Sequence, residues 1–127
     1  MILLDSQTLV WYLTADIKLG KQAKARLVEC QDLYFSSLSI LELEIKQFDR
    51  TTGQGRLIRS AAIKAGLREL EFGGAEAETV SDFPLLGRHD PIDRGLIQQA
   101  AQYGAVFFTS DKKLLNQGLA WVIDSQE

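Results

Sequence analysis

Apolar residues along the chain fall into short solid runs that alternate with stretches of helical spacing. Ile2–Leu4 is apolar throughout and stops at Asp5, and SQTLVWYLT then sets Leu9, Val10 and Leu13 at helical spacing. That predicts a buried strand feeding a helix. Lys21 to Gln31 reads as a charged helix, LYFSS (Leu33 to Ser37) as a strand, and SILELEIKQF as a helix with Leu38, Leu41, Ile45 and Phe48 on one face. TTGQG (Thr51 to Gly55) predicts a turn, RLIRSAAIKAGLREL a further helix, ELEF a short strand, and AEAETVSDF a short helix ahead of Pro84. In HDPIDRGLIQQA, Asp90 is placed as an N-cap, Pro91 as the first helical residue, and Gly104 as the stop. AVFFTS follows as a strand, DKKLL opens a short helix, and WVID (Trp121 to Asp124) is the last strand.

Short strands that are apolar on both faces, alternating with helices, predict an α/β fold with a parallel sheet covered on both sides. At 127 residues, 46% of them hydrophobic, the chain is expected to form one domain spanning 1–127. One cysteine, Cys30, excludes an internal disulfide, and MILLDSQTLVWYL lacks the basic start of a secretory signal, so a cytoplasmic location is expected. Charges recur too often for a membrane span. A net charge of -3 and a pI near 5.2 argue against nucleic-acid binding through a broad basic surface. They do not exclude catalysis on nucleic acid, because an acidic site that binds divalent cations reverses its own local field.

Four acids stand out. Asp5 and Asp111 follow predicted strands, where open parallel sheets build their sites, while Glu42 and Asp93 are expected early in helices, whose N-termini point to the same edge. Each also has a structural role open to it. Asp5 and Asp111 can cap the helices that follow them, Glu42 can pair with Lys46 at i,i+4, and Asp93 can complete a capping box with Asp90. Yet Asp93 heads a row containing Leu96, Ile97 and Ala100, and Glu42 shares a stripe with Leu38 and Ile45, so both charges sit where burial is expected. Arg94 lies in the first turn, against the helix dipole, which suggests that it answers nearby negative charge. A carboxylate cluster accounts for all four at once. An all-oxygen ligand set suits Mg²⁺ or Mn²⁺, and the matching chemistry is hydrolysis of a phosphodiester.

Other features are weaker. His89 is the lone histidine, too few for a zinc site, and the glycines form neither a dinucleotide nor a P-loop fingerprint. Ser6, Thr109 and Ser110 flank the acids and can either cap helices or orient water. Lys46, Arg50, Arg56, Arg59 and Lys64 read as a solvated face more than a nucleic-acid track, and Trp11 and Tyr12 as core or subunit interface.

LLDSQTLVWYL, SSLSILELEIK, HDPIDRGLIQQA and FFTSDKKL, in that order, resemble the landmarks of the PIN-domain ribonucleases, and among them the VapC-type toxins of toxin–antitoxin pairs. The most specific element is D-P-x-D-R. The resemblance implies a PIN-like fold with a central parallel sheet flanked by helices. It makes Asp5, Glu42, Asp93 and Asp111 the catalytic and metal-binding acids and Asp90 an accessory acid and helix cap; Arg94, Ser6 and Thr109 are read from their own positions as supporting residues. It further implies Mg²⁺ or Mn²⁺ as cofactor, endonucleolytic cleavage of RNA, a homodimer, and a cognate antitoxin. Gln7, Leu41 and Ile92 replace residues common in the family, and RHDP reverses a frequent His-Arg order, but all four acids are present. Asp5 and Asp93 are expected to anchor one ion, with Glu42 and Asp111 completing the shell. A silent module that binds antitoxin or RNA without cutting is the alternative. A receiver-like phosphorylation domain is disfavoured because LYFSS ends in serines instead of an acceptor aspartate, and RNA cannot be told from DNA by the residues alone.

Overall fold

The computed structural model describes residues 1–47, 50–82 and 89–127; Phe48 and Pro84, which enter the sequence expectations, lie outside the described residues. Five strands, β1 (Ile2–Leu4), β2 (Leu33–Ser36), β3 (Arg68–Leu70), β4 (Val106–Thr109) and β5 (Val122–Asp124), form one sheet in the order β3-β2-β1-β4-β5. Every pairing is parallel, with Leu3 opposite Tyr34 on one side and Phe107 on the other. The helices are α1 (Ser6–Thr14), α2 (Lys21–Glu29), α3 (Ser37–Ile45), α4 (Gly55–Lys64), α5 (Gly74–Glu78), α6 (Pro91–Tyr103) and α7 (Lys112–Leu115). This is the α/β architecture that the apolar pattern predicts.

Alternation along the strands divides the core. Ile2 and Leu4 of β1, Phe35 of β2 and Phe108 of β4 join Leu9, Leu27 and Ala62 from α1, α2 and α4 on one face. Leu3 and Phe107 point to the other, where they meet Leu96, Ile97 and Ala100 of α6. Both faces are therefore dry, which is why these strands carry no polar alternation.

Two boundaries differ from expectation. The helix beginning near Arg56 stops at Lys64, because Gly66 adopts a φ of 92° and Arg68–Leu70 then pairs with Tyr34–Ser36 as a strand. The second concerns α3, which starts directly at the end of β2 with the Ser36 hydroxyl accepting from Leu38 N–H. Its buried face is Ser39, Glu42 and Leu43, whereas Leu41 and Ile45 are 48% and 64% exposed. Of the anticipated apolar stripe, Leu38 packs against the core beneath α6, whereas Leu41 and Ile45 do not belong to the core face. Leu38 of α3 lies over Gly95 of α6: a Cβ there would come too close to Leu38 Cδ1, so the leucine side chain would have to shift.

Candidate active site

The strand order reverses at β1. The chain moves from β1 out to β2 and β3, then returns to place β4 on the opposite side of β1. The carboxyl ends of β1 and β4 thus flank the switch point at which open parallel sheets form their sites. Asp5 follows β1 and Asp111 lies two residues beyond β4.

Local chemistry holds both acids there. Asp5 caps α1, its Oδ1 accepting from Thr8 N–H at 2.8 Å, and its Oδ2 accepts the Thr109 hydroxyl proton at 2.6 Å. The Thr109 oxygen in turn accepts Asp111 N–H at 3.0 Å, so one buried hydroxyl joins the two acids across the strand ends. Asp111 caps α7, accepting Lys113 N–H at 2.8 Å. The capping roles are real, and they leave carboxylate lone pairs over for a further partner. Burial pushes the Asp5 carboxyl above its ordinary value, against the hydrogen bonds from Thr109, Thr8 and Ser110 that pull it down.

Asp93 comes from the first turn of α6. Asp90 is the cap, accepting Ile92 N–H at 2.8 Å. Among the described residues the Asp93 carboxylate makes no hydrogen bond, so the capping-box alternative is not formed. Its titration is pushed up to about 7, first by burial and then by the negative charges of Asp111, Glu42, Asp90 and Asp5. The field at Asp93 therefore reports the convergence of all the acids singled out in the sequence. Glu42 arrives from the later half of α3 and not its start; α3 packs against α1 and α6, which turns the buried carboxylate toward this edge.

The supporting residues fare differently. Ser6 opens α1 with its hydroxyl buried and without a hydrogen-bond partner. Arg94, expected to balance the acids, makes no ion pair among the described residues, and its Nε is buried without a partner. That charge comes from Lys46, whose ammonium lies 3.1 Å from Glu42 Oε2 and 2.6 Å from Asp90 Oδ2. The i,i+4 spacing signals the first contact; nothing in the sequence signals the second. Both ring nitrogens of His89 are buried without a partner. A residue missed altogether is Gln99, which accepts the Ser36 hydroxyl proton at 2.5 Å and donates to Glu71 O at 3.2 Å, tying the end of β2 to α6 behind the acids.

The donor chemistry suits a hard divalent cation: Asp111, Glu42, Asp90 and Asp5 lie close enough to act by charge on Asp93, whose carboxylate has no hydrogen bond among the described residues. The fit is open and not ready-made. Among the described residues no three His, Cys, Asp or Glu side chains stand in metal-ligand geometry. No helix among the described residues is long and apolar enough to cross a membrane.

The sequence matches the PIN domain family over residues 2–118. No curated protein matches it. Among solved structures, the chain is similar to a toxin–antitoxin complex from Klebsiella pneumoniae, with a TM-score of 0.67 at 13% identity over 98% of each chain. It is also similar to VapBC2 of Rickettsia felis bound to a promoter DNA fragment, with a TM-score of 0.63 at 14% identity over 97% of this chain and 96% of that one. A third is VapC20 of Mycobacterium tuberculosis, a sarcin-ricin loop cleaving toxin, with a TM-score of 0.60 at 17% identity over 97% of this chain and 99% of that one. At these identities the likeness shows a shared fold.

Proposed function

The chain belongs to the PIN domain family, and from that premise we propose that it is a metal-dependent endoribonuclease, the toxin of a toxin–antitoxin pair, built as one domain over 1–127. The observation that carries this reading is the place of Asp93: a half-buried carboxylate with no hydrogen bond among the described residues, near the switch point where Asp5 and Asp111 follow β1 and β4, and pushed up to about 7 by burial and by the charges of Asp111, Glu42, Asp90 and Asp5. Such an arrangement costs stability unless a cation offsets it, and perturbed acids of this kind cluster at functional sites.

Asp5, Glu42, Asp93 and Asp111 would hold Mg²⁺ or Mn²⁺, which supplies, when bound, the positive charge that activates water and stabilises the leaving oxygen. The chain's own residues prepare the site. Thr109 orients Asp5 and fixes the backbone of Asp111. Asp90 sets the start of α6, so that Asp93 projects from its first turn. Asp93, its carboxyl pushed up to about 7, would hold a proton more readily than an ordinary aspartate and would have to release it to serve as a ligand.

The partners follow the same reading. Two of the similar structures are toxin–antitoxin assemblies, which supports a cognate antitoxin; a homodimer and an RNA substrate complete the proposal, in the cytoplasm. Because the Mycobacterium relative cleaves the sarcin-ricin loop, that loop is the first RNA to try. The absence of ready-made metal-ligand geometry among the described residues favours one rival, a silent module that binds antitoxin or RNA without cutting.

The test is incubation of purified protein with ribosomal and structured RNAs, and with the same sequences as DNA, in Mg²⁺, Mn²⁺ or EDTA. Metal-dependent cleavage of RNA that Asp5→Asn abolishes supports the proposal. RNA binding without turnover in any metal selects the silent module, and cleavage of DNA alone changes the substrate.

A further inference from the structure

Lys46 terminates α3, and it is bound twice to Glu42: its backbone N–H donates to Glu42 O at 2.8 Å and its ammonium contacts Glu42 Oε2 at 3.1 Å. The same ammonium reaches Asp90 Oδ2 at 2.6 Å, on the cap of α6, 44 residues away in sequence. An exposed i,i+4 pair contributes little to stability. This one differs because Glu42 is buried, so the ammonium is the compensating charge for a carboxylate that water scarcely reaches. It also links the two helices that deliver Glu42 and Asp93. Around Asp93 stand four further acids, and among the described residues Lys46 is the cation in direct contact with any of Glu42, Asp90, Asp93, Asp5 or Asp111.

We infer that Lys46 is a positioning residue that sets how tightly the acidic site takes a divalent cation, by holding Glu42 and Asp90 through one oxygen each and offsetting their charge. The inference rests on the metal-site reading given above. A divalent ion entering the site has to outcompete an ammonium already seated on Glu42. Lys46 therefore stabilises the metal-free fold and weakens metal binding with the same contacts. With its side chain 41% exposed, it can swing toward solvent when Glu42 turns to the ion, without leaving a buried charge behind.

The experiment is a calorimetric Mn²⁺ titration of EDTA-cleared, RNA-free protein, paired with thermal unfolding in EDTA. It compares wild type, Lys46→Met, Lys46→Gln, Lys46→Arg, Asp93→Asn and, as a charge control on the far end of α4, Lys64→Met. Lys46→Met and Lys46→Gln should bind Mn²⁺ about three- to tenfold tighter, the effect of removing one partly screened unit charge, and should unfold at lower temperature without metal. Lys46→Arg should restore wild-type values and Lys64→Met should leave them unchanged. If Lys46→Met does not fold, Lys46→Gln, which keeps a donor for Glu42 without the charge, carries the comparison. Unchanged or weaker Mn²⁺ binding in the uncharged variants overturns the inference while wild-type binding that Asp93→Asn abolishes keeps the metal site. No Mn²⁺ binding by wild type removes the metal site and the inference together.

Discussion

Thr109 donates its hydroxyl proton to Oδ2 of Asp5 at 2.6 Å, fastening the acid that follows β1 to the last residue of β4. Because the same oxygen accepts Asp111 N–H, replacing Thr109 by Val keeps the shape and removes both bonds. A buried carboxylate oxygen and a partly buried N–H then lose their partner, which costs about 1–3 kcal/mol. Urea unfolding should show that loss for Thr109→Val and little of it for Thr109→Ser, and RNA cleavage should fall in the same order. Wild-type stability in Thr109→Val would mean that water replaces the hydroxyl.

Asp5 both caps α1 and carries a charge in a buried place, and two substitutions separate these roles. Asparagine caps a helix as well as aspartate does, whereas alanine forfeits about 1 kcal/mol. Asp5→Asn should therefore unfold in EDTA at or above the wild-type midpoint, since a desolvated charge is gone, and should not cleave RNA. Asp5→Ala should lose stability as well as cleavage. If Asp5→Asn retains full turnover, the residue is a cap and nothing more.

Leu41 and Ile45 sit one turn apart on α3 and face outward. Replacing both by lysine removes little buried apolar surface, so monomer stability should change by no more than about 0.5 kcal/mol per site. Denaturant midpoints of the double variant check this directly. A loss of several kcal/mol would place these side chains in an apolar contact.

Strand positions, the caps at Asp5, Asp90 and Asp111, and the stop at Gly104 are legible in the sequence because each is decided by a few neighbouring residues: an apolar run, a short acceptor side chain, a positive φ. What is not legible depends on partners far along the chain. Leu41 and Ile45 have helical spacing, but the orientation of α3 is fixed by its direct exit from β2 and by Leu38 closing over Gly95. Lys46 can be paired with Glu42 by spacing alone, yet its shorter contact is with Asp90, from a helix whose approach no local pattern reveals. Arg94 shows the opposite failure: its position in the dipole suggests an ion pair, and the cation that makes those contacts comes from the end of α3. The end of α4 escapes a sequence reading because Ala65–Leu70 continues a helical pattern, while the strand expected at ELEF does form, one residue earlier, over Arg68–Leu70, where it pairs with β2.

Asp93 titrates near 7 in the fold against an ordinary value of 3.8. Between those values the folded protein holds a proton that the unfolded chain has released, so stability falls as pH rises through that window and levels off above it. The gain from Asp93 is complete only below the unfolded value. In EDTA, wild type should be more stable at about pH 5.5 than at about pH 7.5 by roughly 1–2 kcal/mol, less than the full shift because the carboxyl is partly exposed to solvent. Asp93→Asn should reduce this slope, with Asp5, whose carboxyl is also raised by burial, still contributing in the same direction, and should be the more stable protein at the higher pH. Mn²⁺ should act in the reverse sense, since the ion takes the place of the proton: its stabilising effect grows as pH rises across the same window and is lost in Asp93→Asn. Thermal unfolding of both proteins at several pH values, with and without Mn²⁺, measures all of these slopes. A wild-type profile with no fall between the two pH values would show that Asp93 does not feel the other acids, and the proposed site would lose the observation on which it rests.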